Sequence, residues 1–585
     1  MDEIKSFKLN EDSRKKLMIL WNIFVGLAVL ARMVLSSGYV YEYIVNAGYD
    51  DQWMVKTAYY MLGRQWMGPY SHVTLIKSLT YPAMLAFFRA LGIPYGIGIG
   101  MLIVGVSFIF ARALKPIVRS TFLRGIIFIV TMYAPFGFLS ITSARIYRNS
   151  ISHWMSLFVI ASFIGVYLRK DQRFKTMWKW ILCEVVSLAM FWEVREDHIW
   201  IAAFVLPASV ILLIYWLYHK RKIIRTLIVV VLPFIAVAIM ELSIALINYH
   251  EYGVFTTNDR TGTYCGKVIS LMYKIDDDQV NDQRIWVSNK SLSLARQASP
   301  TLDSLGEILD DDWIFWQVYT DYGYEVSGDH AEWALRQAVL DAGYYRDAVS
   351  TNEFYKKIYD ELSEGFDNGT LKRRKGIFLS SQMKPFVKSD IDMALDLTFK
   401  VMDRYIRYDS NGVYVAYTTE GMDEKEKEIF ENMLLMNINE YYPKGYREDA
   451  SIADKAYSVY SDMVMNVLNN IWRIYKQVAT FLNYIVVGIV IFMIVSMVYE
   501  LRQKKFYSFN AFLLIGGIII LLILYTFMIC LWALWMTTDP HNVIYWFYGS
   551  PGPMLAFVIR ILSLAYFGNR IVQIRNSKKN KVENV

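Results

Sequence analysis

Residues 17–36, with the sequence LMILWNIFVGLAVLARMVLS, decide the class of protein. An α-helix needs about 20 predominantly apolar residues to cross a bilayer. No small-residue cleavage pattern follows this stretch, so we interpret it as a membrane span and not as a removable signal peptide. Nine further stretches of the same character occur along the chain: 94–111, 125–142, 151–168, 178–193, 199–218, 225–248, 478–499, 508–536 and 551–570.

The composition supports the same interpretation. Of the 585 residues, 55% are hydrophobic and 20% are charged, whereas soluble domains carry about 25% charged residues. This balance excludes a disordered chain, a collagen-like chain and an ordinary soluble enzyme. Three cysteines, Cys183, Cys265 and Cys530, are too few for a disulfide scaffold or a zinc site built from cysteines. We therefore expect an α-helical polytopic membrane protein with about ten spans.

Charge divides the chain into three parts. Residues 249–476 contain 38 acidic and 26 basic residues, a net charge of −12, whereas the whole chain has a net charge of +7. We expect a transmembrane module over 1–248, a soluble domain over 249–476 and further transmembrane helices over 477–585. The acidic domain argues against nucleic acid as a partner.

The soluble domain is predicted to be mixed but mainly helical. The stretch 422–440 pairs acids with bases four residues apart, which favours a helix. Two further stretches, 352–364 and 452–473, also favour helices, and strand-like pieces occur near 284–288 and 413–418.

The distribution of basic loops predicts which parts lie outside. Cytoplasmic loops carry an excess of Lys and Arg. If the apolar stretch 74–92 lies in the interface and does not cross, every basic cluster falls inside. These clusters are Lys15–Lys16, 112–124, 169–179, 220–225, 502–505 and the tail from 570. The segment 37–93, the short turns near 145–150 and 193–198, the domain 249–476 and the loop 537–550 then share the extracytoplasmic side of the plasma membrane.

Two adjacent carboxylates, Asp50 and Asp51, stand just outside the first span in the sequence GYDDQWM. Adjacent like charges raise the pKa of one member, which suits a general base or a metal ligand, with Mg²⁺ or Mn²⁺ as the metal. The alternative is an ordinary helix start, where Asp satisfies unpaired backbone amides. The pair alone does not separate these interpretations.

A second acidic group lies in the outer turn EVREDH. Charged groups at the membrane surface are costly unless they are paired or functional. Glu193, Glu196 and Asp197 are therefore candidate catalytic residues, and the alternative is a solvated turn in which Arg195 pairs one acid. Two histidines on the same side, His198 and His541, are candidate acceptor-side residues.

Basic residues are scarce on the predicted outer side, which makes each of them informative. Lys77, Arg64, Arg145 and Arg148 are candidates for binding a lipid phosphate, because cations at the interface attract phosphate groups. Simple contact with lipid headgroups is the alternative for each one.

A longer motif runs through the first outer loop. It consists of Asp50-Asp51, Ala58, Leu62-Gly63, Trp66-x-Gly68-x-Tyr70, Lys77, Tyr81-Pro82 and Leu91-Gly92-Ile93-Pro94.

This motif resembles the first outer loop of bacterial membrane glycosyltransferases of the GT-C superfamily. The resemblance covers about residues 15–250 and implies a GT-C-like fold with interfacial helices after the first span. It also implies an enzyme that takes a sugar from a polyprenyl-phosphate carrier and gives it to a glycan or lipid-linked acceptor. Asp50 would be the general base supported by Asp51, and Lys77 and Arg64 would hold the donor phosphate with help from Arg145 or Arg148. Because the soluble domain lacks a W-W-D-like signature, protein N-glycosylation is not expected.

Other functions remain open at this stage. A polymerase or ligase of lipid-linked glycans would use a diphosphate donor and more basic residues. A transporter or flippase of lipid-linked glycan would show inverted repeats and charged or broken helices near the midplane, and we find no internal repeat. A non-catalytic scaffold is the remaining possibility.

Overall fold

We describe the fold from a computed structural model of the protein. All regular secondary structure in its described residues is helical. The described residues are 11–41, 49–139, 144–278, 282–317, 324–410, 412–413, 423–436 and 451–583. Within them, β-structure is limited to three isolated bridges. The expectation of a mixed soluble domain is therefore wrong for these residues. The stretch 284–288 contributes one bridge, between Ile285 and Ser327, and 414–418 lies outside the described residues.

The described part contains eight helices that are long and apolar enough to cross a membrane. This confirms the prediction of a polytopic helical membrane protein. The eight are Lys15–Ser37, Tyr95–Ala113, Asn149–Tyr167, His198–Tyr218, Ile223–Tyr252, Ile452–Arg502, Tyr507–Ala533 and Pro551–Ile574.

Two of the ten predicted spans form helices that do not meet this description. Residues 140–142 of the stretch 125–142 lie outside the described part, and the rest contributes to one 12-residue helix, Thr121–Met132, about 18 Å long at 1.5 Å per residue. Pro135 then begins a short 3-10 turn, and a proline cannot continue the hydrogen-bond ladder of an α-helix. The stretch 178–193 lies in the helix Phe174–Trp192, which is 19 residues long but includes Lys175, Lys179 and Glu184.

Contacts between loops show which helix ends lie together. The amide of Thr80 donates to the Glu193 carbonyl at 2.8 Å, and the Tyr95 hydroxyl lies 3.4 Å from Ser150 Oγ. The segment after the first span therefore lies at the same end of the bundle as the loop before the helix Asn149–Tyr167. At the opposite end, the Arg169 guanidinium donates to the Ala113 carbonyl at 3.0 Å.

Two glycines bring the first helix close to its neighbour. A Cβ at Gly96 would lie 2.7 Å from the Ser36 carbonyl oxygen, and one at Gly100 would lie 3.2 Å from Ser36 Oγ. No side chain fits at either place without a shift, so the helices Glu11–Ser37 and Tyr95–Ala113 are held in close contact near the end that carries Asp50.

Two short helices follow the first span. Asp51–Leu62 has 12 residues and Thr80–Ala90 has 11, about 18 and 16 Å of helix, which is too short to cross a hydrocarbon core of about 30 Å. The structure thus agrees with the prediction that the stretch 74–92 does not cross the membrane by itself. The placement of this stretch in the interface stays a prediction.

The soluble domain packs its helices against the loop that carries Lys77. The amide of Asp259 donates to the Leu75 carbonyl at 2.6 Å, and Asn258 Nδ2 donates to the Ile76 carbonyl at 3.1 Å. The helices of the domain are Asp259–Gly262, Tyr264–Met272, Asn289–Ala298, Pro300–Asp303, Gly306–Gln317, His330–Asp341, Ala348–Asp367, Lys388–Arg407 and Glu424–Leu434.

One helix joins the domain to the C-terminal spans. The predicted helix 452–473 and the predicted span 478–499 form a single 51-residue helix, Ile452–Arg502. The predicted helix 352–364 lies inside Ala348–Asp367. Of the predicted helix 422–440, residues Glu424–Leu434 are helical, and residues 437–440 lie outside the described residues.

Candidate active site

Asp50 binds two cations and does not cap a helix. It precedes the helix Asp51–Leu62, yet its side chain accepts no capping hydrogen bond. Its carboxylate accepts instead from Lys77 Nζ and from Arg145 Nη2 at 3.0 Å. About a third of the side chain is exposed. The helix-start alternative therefore does not account for this residue.

Asp51 is completely buried beside the same arginine. Arg145 Nε donates to both carboxylate oxygens of Asp51, at 2.7 and 3.0 Å. One guanidinium thus bridges two adjacent acids, and Lys77 supplies the second positive charge. Because Arg145 and Lys77 supply the positive charge at this pair, and the described residues contain no group of three or more potential metal ligands, the pair does not fit a resident Mg²⁺ or Mn²⁺.

Lys77 points inward. It lies in the loop before the helix Thr80–Ala90, is 6% exposed, and donates to Asp50 and, at 2.9 Å, to the Tyr147 hydroxyl. Its ammonium is therefore directed at protein groups in this structure, and its binding to a lipid phosphate stays a prediction. Burial lowers the pKa of Lys77 to about 8, against the opposing effect of Asp50. Although burial opposes ionisation of Asp50, Lys77 and Arg145 hold its pKa well below the usual range.

Glu196 forms the second acid–base pair of the site. Its Oε1 accepts from Arg148 Nη1, from the Ser78 amide at 2.8 Å and from Ser78 Oγ at 3.2 Å. Although burial opposes ionisation, Arg148 keeps the pKa of Glu196 well below its ordinary value. As an ionised hydrogen-bond acceptor, Glu196 therefore fixes the position of Ser78, which is the residue next to Lys77.

Glu193 has the opposite electrostatic character. Burial raises its pKa well above the usual range, and a hydrogen bond with Glu241 adds to the effect. Its Oε2 accepts from the Leu79 amide at 3.3 Å. Glu193 thus anchors the loop, and its pKa is shifted in the direction opposite to those of Asp50 and Glu196.

Asp197 and His198 turn away from these pairs. Asp197 accepts from Arg195 Nη2 at 2.7 Å and is 42% exposed. His198 Nδ1 lies 2.8 Å from the Arg195 carbonyl, and its ring lies against Trp192 with ring centroids 3.9 Å apart. The solvated-turn alternative therefore describes Asp197 well.

Arg64 and His541 are both exposed. Arg64 has a positive φ of 59° in the turn after Asp51–Leu62, and the described residues show no contact between it and Lys77. The convergence of these two cations on one phosphate is therefore not observed. His541 donates its amide to Asp539 Oδ1 at 2.9 Å in an exposed loop.

We call the six paired charges the ion cluster. Three acids and three bases give it no net charge, so an anionic ligand must compete with the acids for the cations. The members are Asp50, Asp51, Lys77, Arg145, Arg148 and Glu196.

An aromatic wall that sequence reasoning missed borders the ion cluster. The ring of Tyr147 lies parallel to that of Phe547, with centroids 6.0 Å apart, and the Arg145 guanidinium lies 4.9 Å from the Tyr147 ring centroid. A cation over an aromatic face is stabilised by the ring quadrupole. The position of Tyr147 between Arg145 and Arg148 in the sequence RIYR was the available signal; nothing comparable marks Phe547.

No family model, curated protein or solved structure matches the chain. The resemblance to GT-C enzymes therefore rests on the motif of the first outer loop alone.

Proposed function

We propose that the protein is a membrane glycosyltransferase that moves a sugar from a polyprenyl-phosphate carrier to a hydroxyl group of an extracytoplasmic acceptor. The observation that carries the proposal is the ion cluster, where a partly exposed carboxylate, Asp50, lies beside the buried cations Lys77 and Arg145. Transfer of a sugar needs a base for the acceptor hydroxyl and cations for the departing phosphate. Both are within one cluster.

The resting state holds Asp50 as a weak base, because its two cations stabilise the ionised form. A donor phosphate attracts the same ammonium of Lys77. Once Lys77 binds phosphate, Asp50 loses one stabilising partner and becomes a stronger base. The donor thereby activates the base that its own transfer requires.

The proposed chemical step transfers one proton to the protein and one sugar to the acceptor. The acceptor hydroxyl gives its proton to Asp50 while its oxygen forms a bond to the anomeric carbon. The bond from that carbon to the phosphate oxygen breaks, and the electron pair leaves with the phosphate. Lys77 stabilises the departing anion, with Arg148 as the second nearby cation. Arg145 stays bound to Asp51 and holds the base in place.

The proposed topology has ten crossings, with the ion cluster outside. Arg145 contacts Asp50, which follows the first span, and Arg148 contacts Glu196, so these loops lie at one end of the bundle. In this topology the chain crosses through Phe174–Trp192 and through Thr121–Met132 together with residues 133–139, because the 12-residue helix alone is too short. Ten crossings keep every basic cluster inside, in agreement with the positive-inside rule.

The test is the substitution Asp50→Asn in purified protein supplied with polyprenyl-phosphate sugars. Loss of a general base should lower kcat by about 10²–10⁴-fold, while donor binding is retained because all three cations remain. Asp197→Asn is the matched control, since this acid lies outside the ion cluster, and it should keep near-normal kcat. Near-normal turnover of Asp50→Asn would remove the base assignment.

A further inference from the structure

Arg32 differs from every other buried arginine that the structure describes. It lies in the first helix, Glu11–Ser37, and is 4% exposed. Each of the eight other buried arginines in the described residues donates hydrogen bonds to carboxylates, carbonyls or amides. Arg32 makes no hydrogen bond and no ion pair with a described residue, and its Nε is buried without a partner.

Two arginines show how the chain satisfies a buried guanidinium without a carboxylate. Arg124 Nη1 donates to the carbonyls of Val118 and Arg119 at 2.8 and 2.7 Å. Arg169 Nη1 donates to the carbonyls of Ala113 and Gly165 at 3.0 and 2.8 Å. Helix ends supply the Ala113 and Gly165 carbonyls, and the loop before Thr121–Met132 supplies those of Val118 and Arg119. Arg32 stands inside its helix and makes no such hydrogen bond with a described residue.

Arg32 lines a small pocket that contains a second unused donor. Ser36 lies four residues later on the same helix face, lines the same pocket, and has a buried Oγ without a partner. The pocket, which we call the Arg32 pocket, has room for about one water-sized particle. Two residues with an unpartnered buried polar atom therefore line one small pocket.

The described walls of the Arg32 pocket offer no negative charge. The residues with polar side chains that line it are Arg32, Ser36, Tyr39, Tyr41, Ser150 and Trp154, and none of them is acidic. Tyr41 donates its hydroxyl proton to the Ser36 carbonyl at 2.8 Å, and burial raises its pKa well above the usual range. Tyr41 thus stays neutral and is no counter-ion.

We propose that the Arg32 pocket binds one small monovalent inorganic anion, such as chloride, which accepts from Arg32 Nε and Ser36 Oγ. A buried cation without a counter-charge is costly in a membrane protein. A water molecule would satisfy the donors but would leave the charge unbalanced. The single positive charge and the small space favour a monovalent ion over a phosphate group. This inference does not depend on the proposed transferase activity.

The anion site adjoins the ion cluster without being part of it. The Tyr41 ring contacts the Tyr95 ring edge-on, with centroids 4.9 Å apart, and the Tyr95 hydroxyl lies 2.8 Å from that of Tyr81. A bound anion would therefore hold the end of the first helix against the helix Tyr95–Ala113.

The experiment measures the thermal unfolding midpoint of the purified full-length protein as chloride replaces gluconate at constant ionic strength. We expect wild type to gain stability saturably with chloride, and Arg32→Gln to lose that dependence with at least a roughly tenfold weaker apparent affinity. Arg124→Gln is the matched control, because it removes a buried arginine with a complete set of protein partners. Its chloride dependence should equal that of wild type.

Two further measurements decide the case if Arg32→Gln does not fold. Ser36→Ala removes only a neutral donor and should weaken the apparent chloride affinity by roughly three- to tenfold. A crystal of the wild-type protein in bromide should show anomalous signal in the Arg32 pocket. A wild-type protein without chloride dependence, a Ser36→Ala affinity equal to wild type, or an empty pocket in bromide would overturn the proposal.

Discussion

A buried lysine can bind an anionic donor only while it keeps its proton. Burial lowers the pKa of Lys77 from its ordinary 10.5 to about 8, so the ammonium form is complete below that pH and is lost above it. We therefore expect binding of a short-chain polyprenyl-phosphate analogue to weaken as the pH rises through about 8. The pKa of Asp50 is lowered, so this carboxylate stays ionised across the same range and does not mask the effect.

The variant Lys77→Arg should bind the donor with little change between about pH 6.5 and about pH 9.5, because a guanidinium stays charged there. Lys77→Ala should weaken donor binding more than acceptor binding at all these values. Lys384→Ala is the matched control, since Lys384 is a buried lysine paired with Asp390 in the soluble domain. Equal donor affinity for wild type and Lys77→Ala would exclude Lys77 from the donor site.

At the residue scale, the scarcity of cations in the predicted outer loops singled out two arginines that the structure brings together with carboxylates. The positive-inside rule leaves few cations outside, so Arg145 and Arg148 stood out, and both lie in the ion cluster with Asp50. It failed for Arg64, because exposure depends on how a turn is oriented and spacing along the chain does not reveal this. The roles of the cluster residues stay predictions.

At the scale of elements, the soluble domain holds the 71–79 loop through a buried arginine. Arg336 Nη1 donates to the His72 carbonyl at 3.2 Å and to Asp259 at 2.8 Å, and its Nε donates to Glu332 at 3.1 Å. The side chains of Arg336 and Glu332 are completely buried. Removal of the guanidinium leaves the carboxylate of Asp259 without its ion pair and leaves Glu332 with Arg260 as its remaining cation.

We therefore expect Arg336→Met to destabilise the protein by about 3–5 kcal/mol and to weaken donor binding, because the loop before Lys77 loses its support. Arg296→Met is the control, since Arg296 pairs with the exposed acids Asp303 and Asp310, and such surface pairs contribute about 0–1 kcal/mol. Thermal unfolding midpoints of the two variants give the comparison. Equal midpoints would show that the buried contacts of Arg336 do not hold the domain to the loop.

Hydropathy predicted that helices exist better than it predicted the residues at which they begin and end. No proline interrupts 452–502, so the change from polar to apolar residues did not end the helix, and two predicted elements are one. Pro135 had the opposite effect within the predicted span 125–142. The piece near 284–288 has strand-like residues, but only Ile285 finds a bridge partner, because a strand needs a neighbour that local sequence does not supply.

At the scale of the whole molecule, composition predicted a helical membrane protein, in agreement with the apolar helices of the structure. The separate domain at 249–476, inferred from its net charge of −12, stays a prediction; residues of this segment contact the loop of Lys77. The buried pair of Arg336 and Glu332 could not be recognised from sequence. A Glu and an Arg four residues apart are usually an exposed helix pair, and only tertiary packing buries them.

The proposed sidedness can be tested with two single cysteines in intact cells. Asn368 and Lys220 are both exposed, and the proposed topology places Asn368 outside, with the ion cluster, and Lys220 inside. An impermeant maleimide should therefore label Asn368→Cys directly and Lys220→Cys only after the membrane is permeabilised. Wild type is the background control, since Cys265 and Cys530 are buried and Cys183 is partly buried. The reverse pattern would place Asp50 and Lys77 in the cytoplasm, where an extracytoplasmic acceptor could not reach them, and would rule out the proposed reaction on that side of the membrane.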